Sequence, residues 1–195
     1  MTDVHPLRVY VPGLSYHVIQ RGHNRSAIFD QPCDFEFLVA LVRYAAHRYA
    51  TDVHAFAVMN NHYHLIATPT HNRALARTME GIDAGYTRYY NRKHGRTGTA
   101  WNARYKAKPI EDETYWLTCL RYVELNPVSA KLVRAAELYR WTSFRVHAFG
   151  EFNDWLVPHA LYTALGDTPT ERQMAYRAMC PVSDTVVDLP QCLTP

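Results

Sequence analysis

Two histidines, His62 and His64, stand two residues apart in the otherwise mostly apolar stretch "MNNHYHLIATP". The apolar residues predict a buried β-strand, and side chains alternate between the two faces of a strand. Both imidazoles should therefore point the same way, with Tyr63 on the opposite face. Neutral imidazole is a frequent metal ligand, so the pair could hold one divalent cation. Alternatively, each histidine is a hydrogen-bonded residue of the core, because the H-x-H pattern also arises by chance.

A second group of reactive side chains lies in "DETYWLTCLRYVELNPV", whose pattern predicts a helix. Helical geometry places four of them along one stripe: Tyr115, Cys119, Tyr122 and Asn126. Tyr122 and Asn126 are one turn apart, so a phenol that could act as a nucleophile adjoins an amide oxygen that could bind a metal. The alternative is a boundary tyrosine at 122 and a helix-ending asparagine before Pro127.

The elements that must position these groups follow the order β-α-β-β-α-β, and then a further helix. Strands are predicted over 14–21, 53–59, 62–68 and 103–110, and helices over 33–49, 73–92 and 113–125. This order is typical of the ferredoxin-like split βαβ fold, an α+β fold whose antiparallel sheet carries helices on one face. Asn60-Asn61 predicts a tight hairpin, since asparagine tolerates positive φ, and Asp112 is the predicted cap of the last helix.

Length and composition favour one domain with a real core, since the 195 residues are 48% hydrophobic. We expect a catalytic domain over residues 1–138 and, over 139–195, a Pro-rich extension packed on it with one or two short helices. No apolar run is long enough to span a bilayer, and the N-terminus has no signal-peptide pattern. The four cysteines are scattered, which favours a reducing cytoplasm.

Positive charge is concentrated in residues 71–110, which contain nine basic residues and only two acidic ones, Glu80 and Asp83. The net charge of the whole chain is only +3. Such a block indicates an anionic partner, although a solvated helix face is the alternative. Aromatic residues alternate with the cations: Tyr86, Tyr89, Tyr90, Trp101 and Tyr105. Rings that stack on bases beside cations that meet phosphates are typical of a protein that binds single strands.

Taken together, these stretches resemble the HUH single-strand DNA endonucleases, and most closely the REP-associated tyrosine transposases, relatives of the small single-strand insertion-sequence transposases. The resemblance covers residues 14–141 and rests on "YHVIQRGHNRSAIF", "MNNHYHLI", "YTRYYNRKHGRTGTAWNARYKAKPIE" and "YWLTCLRYVELNPVSAKLV". His62 and His64 match the motif histidines and Tyr122 the nucleophile. Asn126 stands where the wider superfamily often has Gln, His, Glu or Asp, and a neutral amide is a weaker ligand.

The resemblance implies a metal-dependent endonuclease and strand transferase that acts on hairpin-forming, single-stranded DNA through a 5′-phosphotyrosine. Mg²⁺ or Mn²⁺ would be held by His62, His64 and Asn126, in a monomer or homodimer associated with the nucleoid. The candidate DNA contacts are Arg21, Asn24, Arg25, Arg88, Arg92, Lys93, Arg96, Arg104, Lys106 and Lys108. The alternatives are a module of the same fold that binds structured DNA or RNA without cutting it, and a metal-dependent hydrolase of small phosphoesters.

Overall fold

A computed structural model of the chain describes residues 8–180. Two sequence predictions fall partly outside the described residues. The absence of a signal peptide was inferred from a segment that includes residues 1–7, and the predicted extension includes residues 181–195, with Cys192. Cys33 and Cys180 are free thiols. Within the described part, no helix has the length and hydropathy to cross a membrane.

The sheet has four strands in the order β2-β3-β1-β4, and each strand is antiparallel to its neighbours. The strands are β1 (Ser15–Arg21), β2 (Thr51–Val58), β3 (His62–Pro69) and β4 (Lys106–Ile110). Helix α1 (Pro32–Arg48) connects β1 to β2, and α2 (Ala74–His94) connects β3 to β4. This is the split βαβ arrangement, so the predicted ferredoxin-like α+β fold is confirmed.

Helices α1 and α2 cover one face of the sheet. Val18, Tyr63 and Leu65 from the strands pack there with apolar residues of both helices. The predicted end of α2 is confirmed, because Gly95 adopts a left-handed conformation with φ of 60°, which glycine reaches at little cost.

The aromatic residues of the basic segment belong mainly to this core. Four of them expose 6% or less of their surface: Tyr86, Tyr90, Trp101 and Tyr105. The prediction that they stack on bases is therefore wrong. The helix must present an apolar stripe to the sheet, and a buried phenol can satisfy its hydroxyl inside the protein, as Tyr86 does by donating to the Ile28 carbonyl at 2.5 Å. Tyr89 is only partly buried and stacks on Phe37.

Helix α3 (Glu113–Ser129) covers the opposite face of the sheet, so helices lie on both faces and not on one alone. The predicted cap is confirmed, because the Asp112 side chain accepts from the Tyr115 amide. The predicted end near 125 is wrong, since the helix continues through Pro127. Proline removes one N–H, but the Asn126 and Pro127 carbonyls accept from the Ala130 and Leu132 amides, so the hydrogen bonding resumes.

The hairpin between β2 and β3 turns at Asn60-Asn61 and is closed by the Met59 amide, which donates to the His62 carbonyl at 2.8 Å. The hairpin is confirmed, but the reason given for it is wrong, because neither asparagine has a positive φ. The turn is held from outside instead: the Asn60 carbonyl accepts from the Ile28 and Phe29 amides.

Between α3 and residue 180, where the description ends, the chain packs on the outer side of that helix and contains three α-helices where one or two were predicted. They are α4 (Phe144–Phe149), α5 (Ala160–Thr163) and α6 (Pro169–Met179). The contact centres on Glu124, which is fully buried. Its carboxylate oxygens lie 2.5 Å from Ser143 Oγ, 2.7 Å from His147 Nδ1 and 2.6 Å from Tyr176 Oη.

We expect Glu124→Ala to lower the free energy of unfolding by about 3–5 kcal/mol, because it leaves buried polar partners without their acceptor. Urea unfolding followed by circular dichroism measures this. The matched control is Glu151→Ala, which removes an exposed carboxylate 2.6 Å from Arg145 Nε and should cost about 1 kcal/mol or less. Equal losses in the two variants would contradict the role given to the Glu124 network.

Candidate active site

Strand β3 brings His62 and His64 to one face of the sheet. Their ring centroids are 4.9 Å apart, while Tyr63 points to the other face and donates to Asp83 Oδ1 at 3.2 Å. His62 is held at the strand entrance by Asn61, whose side-chain oxygen lies 2.6 Å from His62 Nδ1. If that nitrogen carries the proton, Nε2 of His62 presents a lone pair outward.

A third histidine, His17, joins the pair and was missed from the sequence. It lies on β1, which pairs with β3, and its Nε2 is 3.0 Å from His64 Nδ1. The two rings are stacked, with centroids 5.2 Å apart. Alternation along "SYHVIQ" places His17 on one face of its strand, but only the register between β1 and β3 shows that this face is the one that carries His64.

Two nitrogens of this cluster have no partner among residues 8–180. His64 Nε2 and His17 Nδ1 are buried and have no hydrogen-bond partner, whereas His64 Nδ1 and His17 Nε2 bond to each other. In the tautomer in which His64 donates from Nδ1, its Nε2 is a bare lone pair in a buried position. A cation bound there would satisfy that nitrogen, so the donor set fits a metal ion.

The electrostatics keep all three imidazoles neutral near pH 7. Burial lowers the pKa of His17 and of His62 to about 4, assisted by the charges of Lys108 and Arg21 respectively. Burial also lowers the pKa of His64 well below its usual value, with His17, His62 and Arg21 adding to the effect. Neutral imidazole is the form that binds metals.

Helix α3 places Tyr122 over this cluster. The Tyr122 ring meets His64 and His17 edge to face, with centroids 5.5 Å and 5.6 Å away. Burial raises the pKa of the Tyr122 phenol, while a hydrogen bond from Asn126 and the charge of Arg21 oppose that rise. Since both Tyr122 and Asn126 are almost fully buried, the sheet and the helix fix the phenol beside the imidazoles.

The set that could hold a metal is therefore His62, His64 and Asn126. An amide that donates from its nitrogen to Tyr122 keeps its oxygen for a cation. In residues 8–180 no cluster of three or more His, Cys, Asp or Glu side chains has a geometry that suits a metal ion. Any site here would consist of neutral ligands without a carboxylate.

The predicted DNA-contacting residues separate into three groups. Arg21, Arg25, Arg104 and Lys106 line a cleft of about 190 Å³, and Arg21 also acts electrostatically on His62 and Tyr122. Arg88 and Arg104 line a neighbouring cleft of about 600 Å³.

The remaining predicted contacts are more scattered. Lys93 is engaged by the buried Asp34, with Nζ 2.6 Å from Oδ1, and Lys108 lies opposite His17 on β4. Arg92 and Arg96 are exposed near the end of α2, and Asn24 lies in the exposed loop after β1.

Comparison with solved structures agrees with this fold. A REP-associated tyrosine transposase, solved bound to a REP hairpin, superimposes with a TM-score of 0.62 at 16% sequence identity, over 82% of this chain and 93% of that chain. Two weaker similarities carry no argument. A candidate transposase from Deinococcus radiodurans R1 gives a TM-score of 0.42 at 20% identity, over 59% of this chain and 92% of that one. A tRNA(His) guanylyltransferase from Saccharomyces cerevisiae gives a TM-score of 0.47 at 11% identity, over 99% of this chain and 86% of that one.

No curated protein matches the chain significantly. The sequence model of the IS200-like transposases, in contrast, matches residues 10–126. This span includes all four strands, the histidine pair and the helix with Tyr122 up to Asn126. Because the match covers more than half of the chain, the protein belongs to the IS200-like transposase family.

Proposed function

We propose that this chain is a metal-dependent endonuclease and strand transferase for single-stranded DNA, with Tyr122 as its nucleophile. The observation that carries the proposal is the placement of Tyr122 edge-on to His64, within hydrogen-bonding reach of Asn126. A phenol, two aligned imidazoles and an amide at one point of the fold form a constellation suited to phosphoryl transfer.

In this mechanism the Tyr122 oxygen attacks the scissile phosphorus. A bond forms between that oxygen and phosphorus as the bond to the 3′ oxygen breaks; the phenol gives up one proton, and the departing 3′ oxygen takes up one, so the step is proton-neutral. The products are a 5′-phosphotyrosine and a free 3′-hydroxyl. A phenol has a pKa near 10, so it leaves more readily than an alkoxide, and a 3′-hydroxyl can reverse the step.

The other residues bind and orient the strand. His62, His64 and Asn126 would hold Mg²⁺ or Mn²⁺, which when bound polarises the phosphate and offsets the charge that develops on it. Arg21 adds a fixed positive charge beside Tyr122. Because the three protein ligands are neutral, we expect weak metal affinity until a phosphate supplies negative charge.

We assign the substrate to hairpin-forming repeat DNA with a single-stranded foot. This assignment is supported by the fold shared with a transposase that was solved bound to a REP hairpin, and by the REP-associated features in "MNNHYHLI" and "YVELNP". Residues 1–138 would form the catalytic domain, and 139–195 an extension of that domain.

Cleavage of an end-labelled hairpin oligonucleotide tests the proposal. With Mg²⁺, a 3′-labelled strand should become attached to protein in a band that resists denaturing detergent, and a 5′-labelled strand should be released with a free 3′-hydroxyl. Chelation with EDTA should remove both products without removing binding. Tight binding with no cleavage in Mg²⁺ or Mn²⁺ would instead indicate a module that binds structured DNA.

Binding should depend steeply on salt, since phosphate contacts release counterions. We expect Lys106→Ala to weaken binding without changing sequence preference and to reduce the slope of log affinity against log salt by about 0.7. Fluorescence anisotropy between low and moderate salt measures both. The matched control is Arg145→Ala, which removes an exposed cation from α4 and should leave the slope unchanged. An unchanged slope in Lys106→Ala would exclude this cleft as a phosphate path.

A further inference from the structure

The larger cleft lies between the end of β1, the middle of α2 and the loop before β4. It has a volume of about 600 Å³, and its lining includes Gln20, Asp83, Arg88, Trp101 and Arg104. This volume is in the range of pockets that hold small organic groups. Nothing in the phosphotyrosine chemistry uses this cleft.

Asp83 is the only acidic residue among the residues that line the cleft. Its carboxylate accepts from Gln20 Nε2 at 2.7 Å and from the Tyr63 hydroxyl at 3.2 Å. A carboxylate has about four lone-pair sites, so two donors leave Asp83 with unused acceptor capacity. Asp83 is enclosed enough for burial to raise its pKa, but the residue keeps part of its surface exposed and lines the cleft.

If the cleft bound only the phosphate backbone of a strand, the negative charge of Asp83 would weaken that binding. Arg88 and Arg104 line the same cleft, and a nearby carboxylate reduces the attraction of an arginine for a phosphate. A carboxylate is useful there if it accepts hydrogen bonds from a base, as acidic side chains do in base recognition. Trp101 supplies an apolar wall, and its indole N–H is already used by the Asp83 carbonyl at 3.0 Å.

We propose that this cleft binds one unstacked guanine of the single-stranded DNA, with Asp83 accepting from its N1–H and 2-amino group. Guanine is the base that offers two adjacent donors to one carboxylate, whereas adenine and cytosine offer a single amino group. Arg88 and Arg104 would hold the flanking phosphates. Pockets that take extruded bases read them in this way, by hydrogen bonds to the Watson–Crick edge.

The cleft is continuous with the basic one that leads to Tyr122. The two share Gln20, Asn102, Ala103 and Arg104 in their linings. The smaller cleft continues to Arg21, which acts electrostatically on Tyr122. A guanine in the larger cleft would therefore fix the register of the strand, and with it the phosphate presented to Tyr122. This inference rests on the proposed function, because it takes the bound strand to be the DNA that Tyr122 cleaves.

Selection from a hairpin library tests the pocket. The probe is a DNA hairpin whose single-stranded foot is fully randomised, bound in EDTA so that cleavage does not contribute. Burial raises the pKa of Asp83 to about 7, so pH 8 keeps the carboxylate ionised. Wild-type protein should enrich guanine at one position of the foot by about 5- to 150-fold over adenine. Asp83→Asn should lose that enrichment at that position alone.

Two controls keep the test decisive. Asp30→Asn makes the same charge change at an exposed site and should leave the preference intact. Inosine in place of the selected guanine lacks the 2-amino group and should weaken wild-type binding about tenfold, a result that needs no variant to fold. Unchanged guanine enrichment in Asp83→Asn, or full-strength binding of inosine, overturns the pocket and leaves the cleavage proposal standing. A failure to bind any hairpin overturns both.

Discussion

Tyr122→Phe should abolish the covalent protein–DNA adduct and lower the cleavage rate on the order of a thousandfold or more. The change removes one oxygen, so the nucleophile disappears while the ring stays against His64 and His17. The lost hydrogen bond to Asn126 should cost about 1 kcal/mol of stability. Hairpin affinity in EDTA should stay within about twofold, because the phosphate-binding cations are untouched. Detergent gels with 3′-labelled DNA measure the adduct.

The matched control is Tyr115→Phe, which removes a phenol from the same helix two turns earlier. Tyr115 has Cys119, not an asparagine, one turn further along the helix, so this variant should form the adduct at the wild-type rate. An adduct that persists in Tyr122→Phe and disappears in Tyr115→Phe would transfer the nucleophile to Tyr115 and refute the assignment.

His64→Ala should reduce cleavage by at least about a hundredfold while hairpin binding in EDTA is kept. His64 Nε2 is one of the two buried nitrogens of the cluster without a partner among the described residues, and it belongs to the histidine pair, so its loss removes the group best placed to bind a cation. Titration with Mn²⁺, followed by electron paramagnetic resonance in the presence of the hairpin, should show one bound ion for the wild type and none for the variant. His62→Ala should behave in the same way.

His54→Ala separates chemistry from packing. His54 is about as buried as His64 and His17, but both of its nitrogens are satisfied, by the Val157 carbonyl at 2.7 Å and Thr68 Oγ1 at 2.8 Å. Its loss should lower stability but preserve cleavage below the unfolding temperature. Cleavage by His64→Ala at the rate of His54→Ala would contradict the metal site.

Sequence periodicity predicted the parts of the site that lie within single elements. Alternation along β3 placed His62 and His64 on one face, and helical spacing placed Tyr122 next to Asn126. His17 was beyond such reasoning, because its contact with His64 depends on the register between β1 and β3, which is a long-range property. Asn61 was assigned to the turn alone, since its contact with His62 Nδ1 is not visible in the pattern of the turn.

The sequence was misleading for aromatic and charged residues whose burial depends on tertiary packing. Tyr86 and Tyr105 alternate with cations in the sequence, yet the helix and the loop turn these rings inward and the cations outward. The importance of Glu124 was hidden for a related reason. A charged residue in a helix predicts a solvated position, and only the packing of α4 and α6 shows that Ser143, His147 and Tyr176 enclose it.

Peptide mapping of the covalent adduct identifies the nucleophile without any substitution. After reaction with the hairpin and digestion of the DNA to the attached nucleotide, trypsin should release residues 122–131, "YVELNPVSAK", in which Tyr122 is the only tyrosine. Tyr115 falls in the preceding peptide, residues 107–121, because trypsin cleaves after Lys106 and Arg121 and not between Lys108 and Pro109. Tandem mass spectrometry should find the nucleotide on Tyr122. A nucleotide on the 107–121 peptide, or on any other tyrosine, would contradict the account.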